Sequence, residues 1–162
     1  MLILTLASAA QTRRFARILA AQLRPPALIT IEGELGTGKT TLVRELLHAR
    51  GVRGAITSPS FTLAQSYHGR DGDELHHLDL YRLSRGADAD LFAWDDYLGP
   101  RALTFVEWPG AGSEALPAAD VRLELRHRTR RSRVARLRAA AVFEAAVGEA
   151  ATAERIAVER VA

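Results

Sequence analysis

Cysteine is absent from the chain, which excludes disulfides, thiolate metal sites and thiol catalysis. No apolar run approaches the ~20 residues that a membrane-spanning helix needs. The apolar start, Met1-Leu2-Ile3-Leu4-Thr5-Leu6, is short, and Arg13, Arg14 and Arg17 follow it rather than precede it. It reads as a strand and not as a signal peptide, so a cytoplasmic location is expected by default. Lysine is almost missing too: Lys39 is the sole lysine among 22 lysines and arginines. Arginine fills every other basic position. The one retained ammonium suggests a place that needs a compact point charge rather than a planar fork.

What is present is ordinary for a globular chain: 48% hydrophobic and 25% charged residues in 162. That length favours one domain, residues 1–162, with room for a real core. No internal repeat or linker divides it.

Ser8 to Gln11 has capping-box spacing, and Phe15, Ile18, Leu19 and Leu23 recur at helical intervals until Pro25-Pro26. Residues 27–31 read as a buried strand and 41–50 as a helix ended by Gly51. Residues 61–67 and 75–81 look like strands joined by a His68-Gly69-Arg70-Asp71-Gly72 turn, a hairpin. A helix is expected over 87–98, stopped by Gly99-Pro100, and a buried strand over 102–106. Val121, Leu123 and Leu125 alternate with polar residues as a half-buried strand; a basic turn leads to a partner strand over 134–138. The alanine-rich tail, 139–162, is expected to be helical. Strands and helices alternating around a parallel core imply an α/β fold with one antiparallel portion.

The most specific signal lies between the second strand and the second helix. Gly33-Glu34-Leu35-Gly36-Thr37-Gly38-Lys39-Thr40 fits the G-x-x-x-x-G-K-[ST] phosphate loop in the context it requires. Its glycines let the backbone approach phosphate oxygens, and successive N–H groups make an anion nest. The following helix adds its N-terminal partial charge. Lys39 would reach the β- and γ-phosphates of ATP, and the Thr40 hydroxyl can ligate Mg²⁺.

A loop of this kind normally works with an acidic residue at the end of another buried strand. Glu107, after Ala102-Leu103-Thr104-Phe105-Val106, is placed for that; a solvated carboxylate at a strand end is the alternative. Asp79 ends another strand-like run. It would orient a water, accept its proton or hold a metal-bound water; alternatively it pairs with Arg82. His76 and His77 point to opposite faces of one strand and make a poor metal site. A satisfied or solvated role is expected for both. Thr57-Ser58-Pro59-Ser60-Phe61-Thr62 lies where P-loop switch proteins sense the γ-phosphate, though composition alone favours an ordinary Ser/Pro turn. The arginines from Arg126 to Arg138 read as a solvated basic strand face, with contact to RNA phosphates as the competing reading.

Four segments together resemble the TsaE (also called YjeE) family. They are Gly33 to Thr41; Thr57-Ser58-Pro59-Ser60-Phe61-Thr62-Leu63; His77-Leu78-Asp79-Leu80-Tyr81-Arg82-Leu83; and Val106-Glu107-Trp108-Pro109. The resemblance runs from about Ser8 to Arg138. It implies a P-loop NTPase-type three-layer α/β sandwich with a mostly parallel central sheet. It also implies an ATPase, weak alone, of bacterial tRNA threonylcarbamoyladenosine formation. Thr40 and Glu107 would bind Mg²⁺, residues 57–62 would form a switch, and Asp79 and Trp108 would belong to the active site. Ser58 and Thr62 would face the nucleotide, Thr12 matches a threonine near the adenine, and Arg130 loosely matches a basic residue reaching the nucleotide. The implied partners are TsaB and TsaD, with tRNA brought near through that complex. Ser60 stands where the family has threonine, and Ala93-Trp94 where it often has glycine and an aliphatic residue. Two other readings use the same loop: a small kinase for a metabolite or nucleotide, and a binding module gated by nucleotide. A kinase would require an acceptor pocket and an arginine-bearing lid, and no convincing lid is present in the sequence.

Overall fold

The computed structural model describes residues 1–59, 62–83, 93–112 and 116–161. Their order is β1 (Leu2–Leu6), α1 (Ala9–Gln22), β2 (Ala27–Glu32), α2 (Lys39–Ala49), β3 (Ala64–His68), β4 (Glu74–Asp79), a 3₁₀ turn (Trp94–Tyr97), β5 (Ala102–Glu107), a second 3₁₀ turn (Pro109–Gly112), β6 (Val121–His127), β7 (Arg133–Arg138), α3 (Ala141–Ala153) and β8 (Ala157–Arg160). The strands make one mixed sheet in the order β3-β4-β5-β2-β6-β7-β1-β8. The four central strands, β4, β5, β2 and β6, run parallel. The β3–β4 hairpin extends one side, and β7, β1 and β8 extend the other, all antiparallel.

Alternation along each strand sorts side chains between two cores. Ile29, Ile31, Leu75, Leu103 and Phe105 join Leu42, Val43, Leu46 and Leu47 of α2 in the larger one, with Phe15 and Leu19 of α1. The three α-helices line that face in contact with one another, α1 meeting both α2 and α3. The opposite face carries Leu28, Leu78 and Val106, packed with Leu80, Leu83 and Trp94. Among the described residues that third layer is built from a 3₁₀ turn and loops.

Local chemistry explains the element ends. Ser8 caps α1, its hydroxyl accepting from the Gln11 N–H at 3.3 Å. Gln11 reaches back one residue further than a capping box requires, to the Ala7 N–H at 2.7 Å. Helix α2 starts at Lys39, earlier than its sequence pattern, because Gly38 takes a left-handed φ of 99° and turns the chain into the helix. Two expectations need correction. The part of the proposed 87–98 helix up to residue 92 lies outside the described residues, and the rest is only a 3₁₀ turn, since Ala93 enters with ψ 78° and Gly99-Pro100 closes it. The tail is not helical throughout. Arg155, at φ 57°, reverses the chain after α3, and Ala157–Arg160 pairs with the free edge of β1. No helix among the described residues is long and apolar enough to cross a membrane.

Candidate functional site

The parallel strands end together beside the glycine-rich loop, and their register decides which side chains meet there. Asp79 of β4 pairs with Glu107 of β5, and Ile31 of β2 also pairs with Glu107. Asp79 and Glu107 share the parity of Leu75, His77, Leu103 and Phe105, so both face α2. A cavity of about 610 Å³ opens there, lined among others by Lys39, Thr40, Ser58, Asp79, Arg82 and Glu107.

Glu107 is almost wholly buried, at 1% exposure. Burying a carboxylate is costly unless its oxygens are met, and both are. Oε2 accepts the Thr40 hydroxyl at 3.0 Å, and Oε1 lies 2.8 Å from His77 Nε2. Two oxygens bound side by side to one octahedral Mg²⁺ at about 2.1 Å would stand about 3.0 Å apart. Thr40 Oγ1 and Glu107 Oε2 therefore have the spacing of neighbouring ligands. No group of three or more His, Asp or Glu converges on a metal position among the described residues.

Lys39 is buried, its Nζ donating to the carbonyls of Gly33 at 2.8 Å and Glu34 at 2.9 Å. The ammonium also lies 3.7 Å from the centroid of the Trp108 ring, a cation–π contact. Burial pushes its pKa below the usual lysine range, and the carboxylates of Glu107 and Asp79 oppose that shift. Gly33, Gly36 and Gly38 all have positive φ, at 141°, 77° and 99°. Thr37 pins the loop from inside through its hydroxyl to the Glu34 carbonyl, and the Gly38 carbonyl accepts the Leu42 N–H to start α2. Leu35, at the loop's tip, is 75% exposed.

Asp79 is buried, and its carboxylate accepts from the Ser58 hydroxyl at 2.7 Å and the Tyr81 N–H at 3.1 Å. Ser58 thus joins the Thr57–Thr62 segment to the end of β4. Ser60 and Phe61 lie outside the described residues, and Thr62 is exposed on the turn that follows. Trp108 sits at φ 58°, holds the Ile31 carbonyl through its N–H and tilts against Tyr81 with ring centroids 4.9 Å apart. Strain of this kind clusters at functional sites.

Two expected site residues make no hydrogen bond to the loop among the described residues. The Thr12 hydroxyl bonds to the Ser8 carbonyl within α1, at 3.4 Å. Arg130 is exposed on the β6–β7 turn. Arg133, at the start of β7, does reach the loop. Its guanidinium donates to the carbonyls of Thr37 at 2.9 Å and Gly36 at 3.4 Å. In the sequence, one arginine among many gives no sign of this. The β6–β7 register, which pairs Arg133 with His127, places it. His77 was missed for a similar reason: alternation shows that the two histidines face opposite ways, but not which faces a carboxylate.

The family follows from comparison with known proteins. The family model described as "Threonylcarbamoyl adenosine biosynthesis protein TsaE" matches residues 6–135. The chain belongs to the TsaE family. The curated TsaE of Streptomyces coelicolor is 41% identical over 114 residues, covering 70% of this chain and 77% of that protein. That of Bacillus subtilis is 30% identical over 117 residues, 72% of each chain. That of Haemophilus influenzae is 34% identical over 98 residues, covering 60% of this chain and 61% of the relative, less than two thirds of its length. All three are described as tRNA threonylcarbamoyladenosine biosynthesis proteins. The crystal structure of Bacillus subtilis YdiB superposes with a TM-score of 0.75 at 22% identity, covering 95% of this chain and 97% of that one, which shows a shared fold. The family is thus described by a role in tRNA threonylcarbamoyladenosine biosynthesis.

Proposed function

We propose that this TsaE-family chain binds and hydrolyses Mg²⁺-dependent ATP, and that hydrolysis energises or resets a TsaB–TsaD complex during tRNA threonylcarbamoyladenosine formation in the cytoplasm. The observation that carries the reading is the 3.0 Å contact between Thr40 and Glu107 at the first turn of the helix behind the loop. It joins the loop to a buried carboxylate on a neighbouring strand, as nucleotide hydrolysis requires.

Each residue has a task in this reading. The loop N–H groups and the α2 N-terminus receive phosphate oxygens. Lys39 exchanges its carbonyl and Trp108 contacts for the phosphates, supplying a point charge. Thr40 and Glu107 would hold Mg²⁺, and the ion when bound would supply positive charge beside the phosphate oxygens. Asp79 offers a second carboxylate to the attacking water or to a water on the cation. Ser58 ties the 57–62 segment to that carboxylate, so the segment senses what Asp79 binds.

ATP turnover measured with and without TsaB and TsaD, in wild type and Lys39→Ala, tests the proposal. Turnover should rise with the partners and vanish in the variant. Glu107→Ala should keep nucleotide binding and lose hydrolysis. Robust phosphate transfer to a metabolite, indifferent to TsaB and TsaD, would establish the kinase reading instead.

A further inference from the structure

His77 has no exposed surface and stands in the middle of β4. The parallel register sets it beside Phe105, two residues before the Asp79–Glu107 pair and on the same face of the sheet. Its Nε2 is 2.8 Å from Glu107 Oε1, and its Nδ1 is buried with no polar partner among the described residues. Those two facts select a tautomer. A carboxylate only accepts hydrogen bonds, so Nε2 carries the hydrogen. Nδ1 is then a bare lone pair, and no buried N–H is left unmet.

The consequence falls on Glu107. Its two oxygens have different neighbours: Oε2 meets Thr40, which lines the cavity, while Oε1 meets the ring of the fully buried His77 on the same face of the sheet. Rotation of the carboxylate to present both oxygens to the cavity would break the His77 bond and strand a buried N–H, a costly exchange. We infer that His77 is a positioning residue that holds Glu107 to a single cavity-facing oxygen and thereby favours a small octahedral cation over a larger one. Mg²⁺ and Mn²⁺ accept one oxygen from such a carboxylate. Ca²⁺ takes more and longer bonds, and commonly both oxygens of a carboxylate. Outer partners of metal ligands act in this way, by fixing the ligand rather than touching the metal. The inference rests on the reading that Thr40 and Glu107 hold a divalent cation.

The test uses the full chain with a non-hydrolysable ATP analogue. Mn²⁺ affinity is read by electron paramagnetic resonance and Ca²⁺ affinity by competition, in wild type, His77→Leu and His77→Gln. His77→Leu should weaken Mn²⁺ by about 10- to 100-fold, the usual cost of losing an outer partner. It should weaken Ca²⁺ less, and leave metal-free analogue binding unchanged. His77→Gln, whose amide nitrogen reaches a similar depth, should recover most of the Mn²⁺ affinity. Unchanged Mn²⁺ affinity in His77→Leu, equal losses for both cations, or a glutamine no better than leucine would overturn the inference. Should His77→Leu not fold, His77→Gln is compared with the shorter His77→Asn, and equal Mn²⁺ affinities overturn it. A wild type that binds the analogue but no Mn²⁺ would sink the cation reading itself, and this inference with it.

Discussion

Replacing Gly33 with alanine should cost more than any comparable change at a glycine of the same backbone class, for two separable reasons. At φ 141° the residue occupies a region that side chains rarely adopt. A Cβ built there would overlap the Leu125 carbonyl oxygen and come within 3.0 Å of Thr37 Oγ1 and 3.2 Å of the Leu125 carbonyl carbon. The backbone term is about 1–3 kcal/mol. The overlap is with main chain of β6, which cannot turn aside, and overpacking of that kind adds about 1–3 kcal/mol. A total near 2–6 kcal/mol would lower the melting temperature by roughly 4–24 °C in a chain of this size. Gly54→Ala isolates the first term, because φ is 92° and nothing lies within 4 Å of its added Cβ. Urea unfolding of both variants is the assay. Gly33→Ala should lose clearly more stability than Gly54→Ala, and nucleotide binding as well, since the Gly33 carbonyl also anchors Lys39. Equal losses would refute the claim that β6 braces the loop at this point.

Three further outcomes follow from the same geometry. Arg133→Ala removes two charge-assisted bonds to loop carbonyls and should weaken nucleotide binding by about 3- to 10-fold, whereas Arg130→Ala should have a smaller effect; titration of a labelled nucleotide compares them. Nucleotide should change the tryptophan emission as Lys39 leaves the Trp108 ring, and the change should persist in Trp94→Phe but be lost in Lys39→Ala, as read by fluorescence. His76 is held below the usual histidine pKa first by burial, with Glu74 opposing and His68 adding to the shift. Its unfolded form therefore binds a proton at a higher pH than its folded form, so its contribution to stability is intact above the unfolded value of about 6.5 and falls away as pH drops through that value toward the folded one. His76→Gln should flatten this acid-side loss in urea midpoints measured between pH 7.5 and 5.5, and an unchanged slope would contradict the assignment.

The parts of this molecule that depend on neighbours in sequence were legible before the structure. The loop between β2 and α2, the hairpin of β3 and β4, and the buried alternation of Val121, Leu123 and Leu125 all follow from short-range pattern. Glu107 was legible because it closes an apolar run, and the structure buries it against Thr40. What was hidden depends on register across the sheet. Arg133 and Arg130 are equivalent by composition, and only the pairing of β7 with β6 turns one of them onto the loop. His77 is one of two adjacent histidines, and the β4–β5 register alone sets its ring beside the Glu107 carboxylate. Strand β8 was obscured because its alanine-rich approach carries helical propensity, which the free edge of β1 overrides.

The topology also explains why the antiparallel wing matters to a site built at the ends of parallel strands. Ligands of such sheets collect at the carboxyl ends of the strands, and here β2, β5 and β4 supply Gly33, Glu107 and Asp79. None of these alone fixes the loop. The brace comes from the other side: Leu125 of β6 lies against Gly33, and Arg133 of β7 grips the carbonyls of Gly36 and Thr37. Strand β7 is in turn held by β1, whose Leu6 pairs with Arg133 itself. The loop thus sits between two supports, a wall of carboxylates on β4 and β5 and a bracing wall on β6 and β7. Only the first is written in residues whose chemistry announces itself. The second works through main-chain carbonyls: those of Gly36 and Thr37 accept from the Arg133 guanidinium, and that of Leu125 leaves room only for the missing Cβ of Gly33.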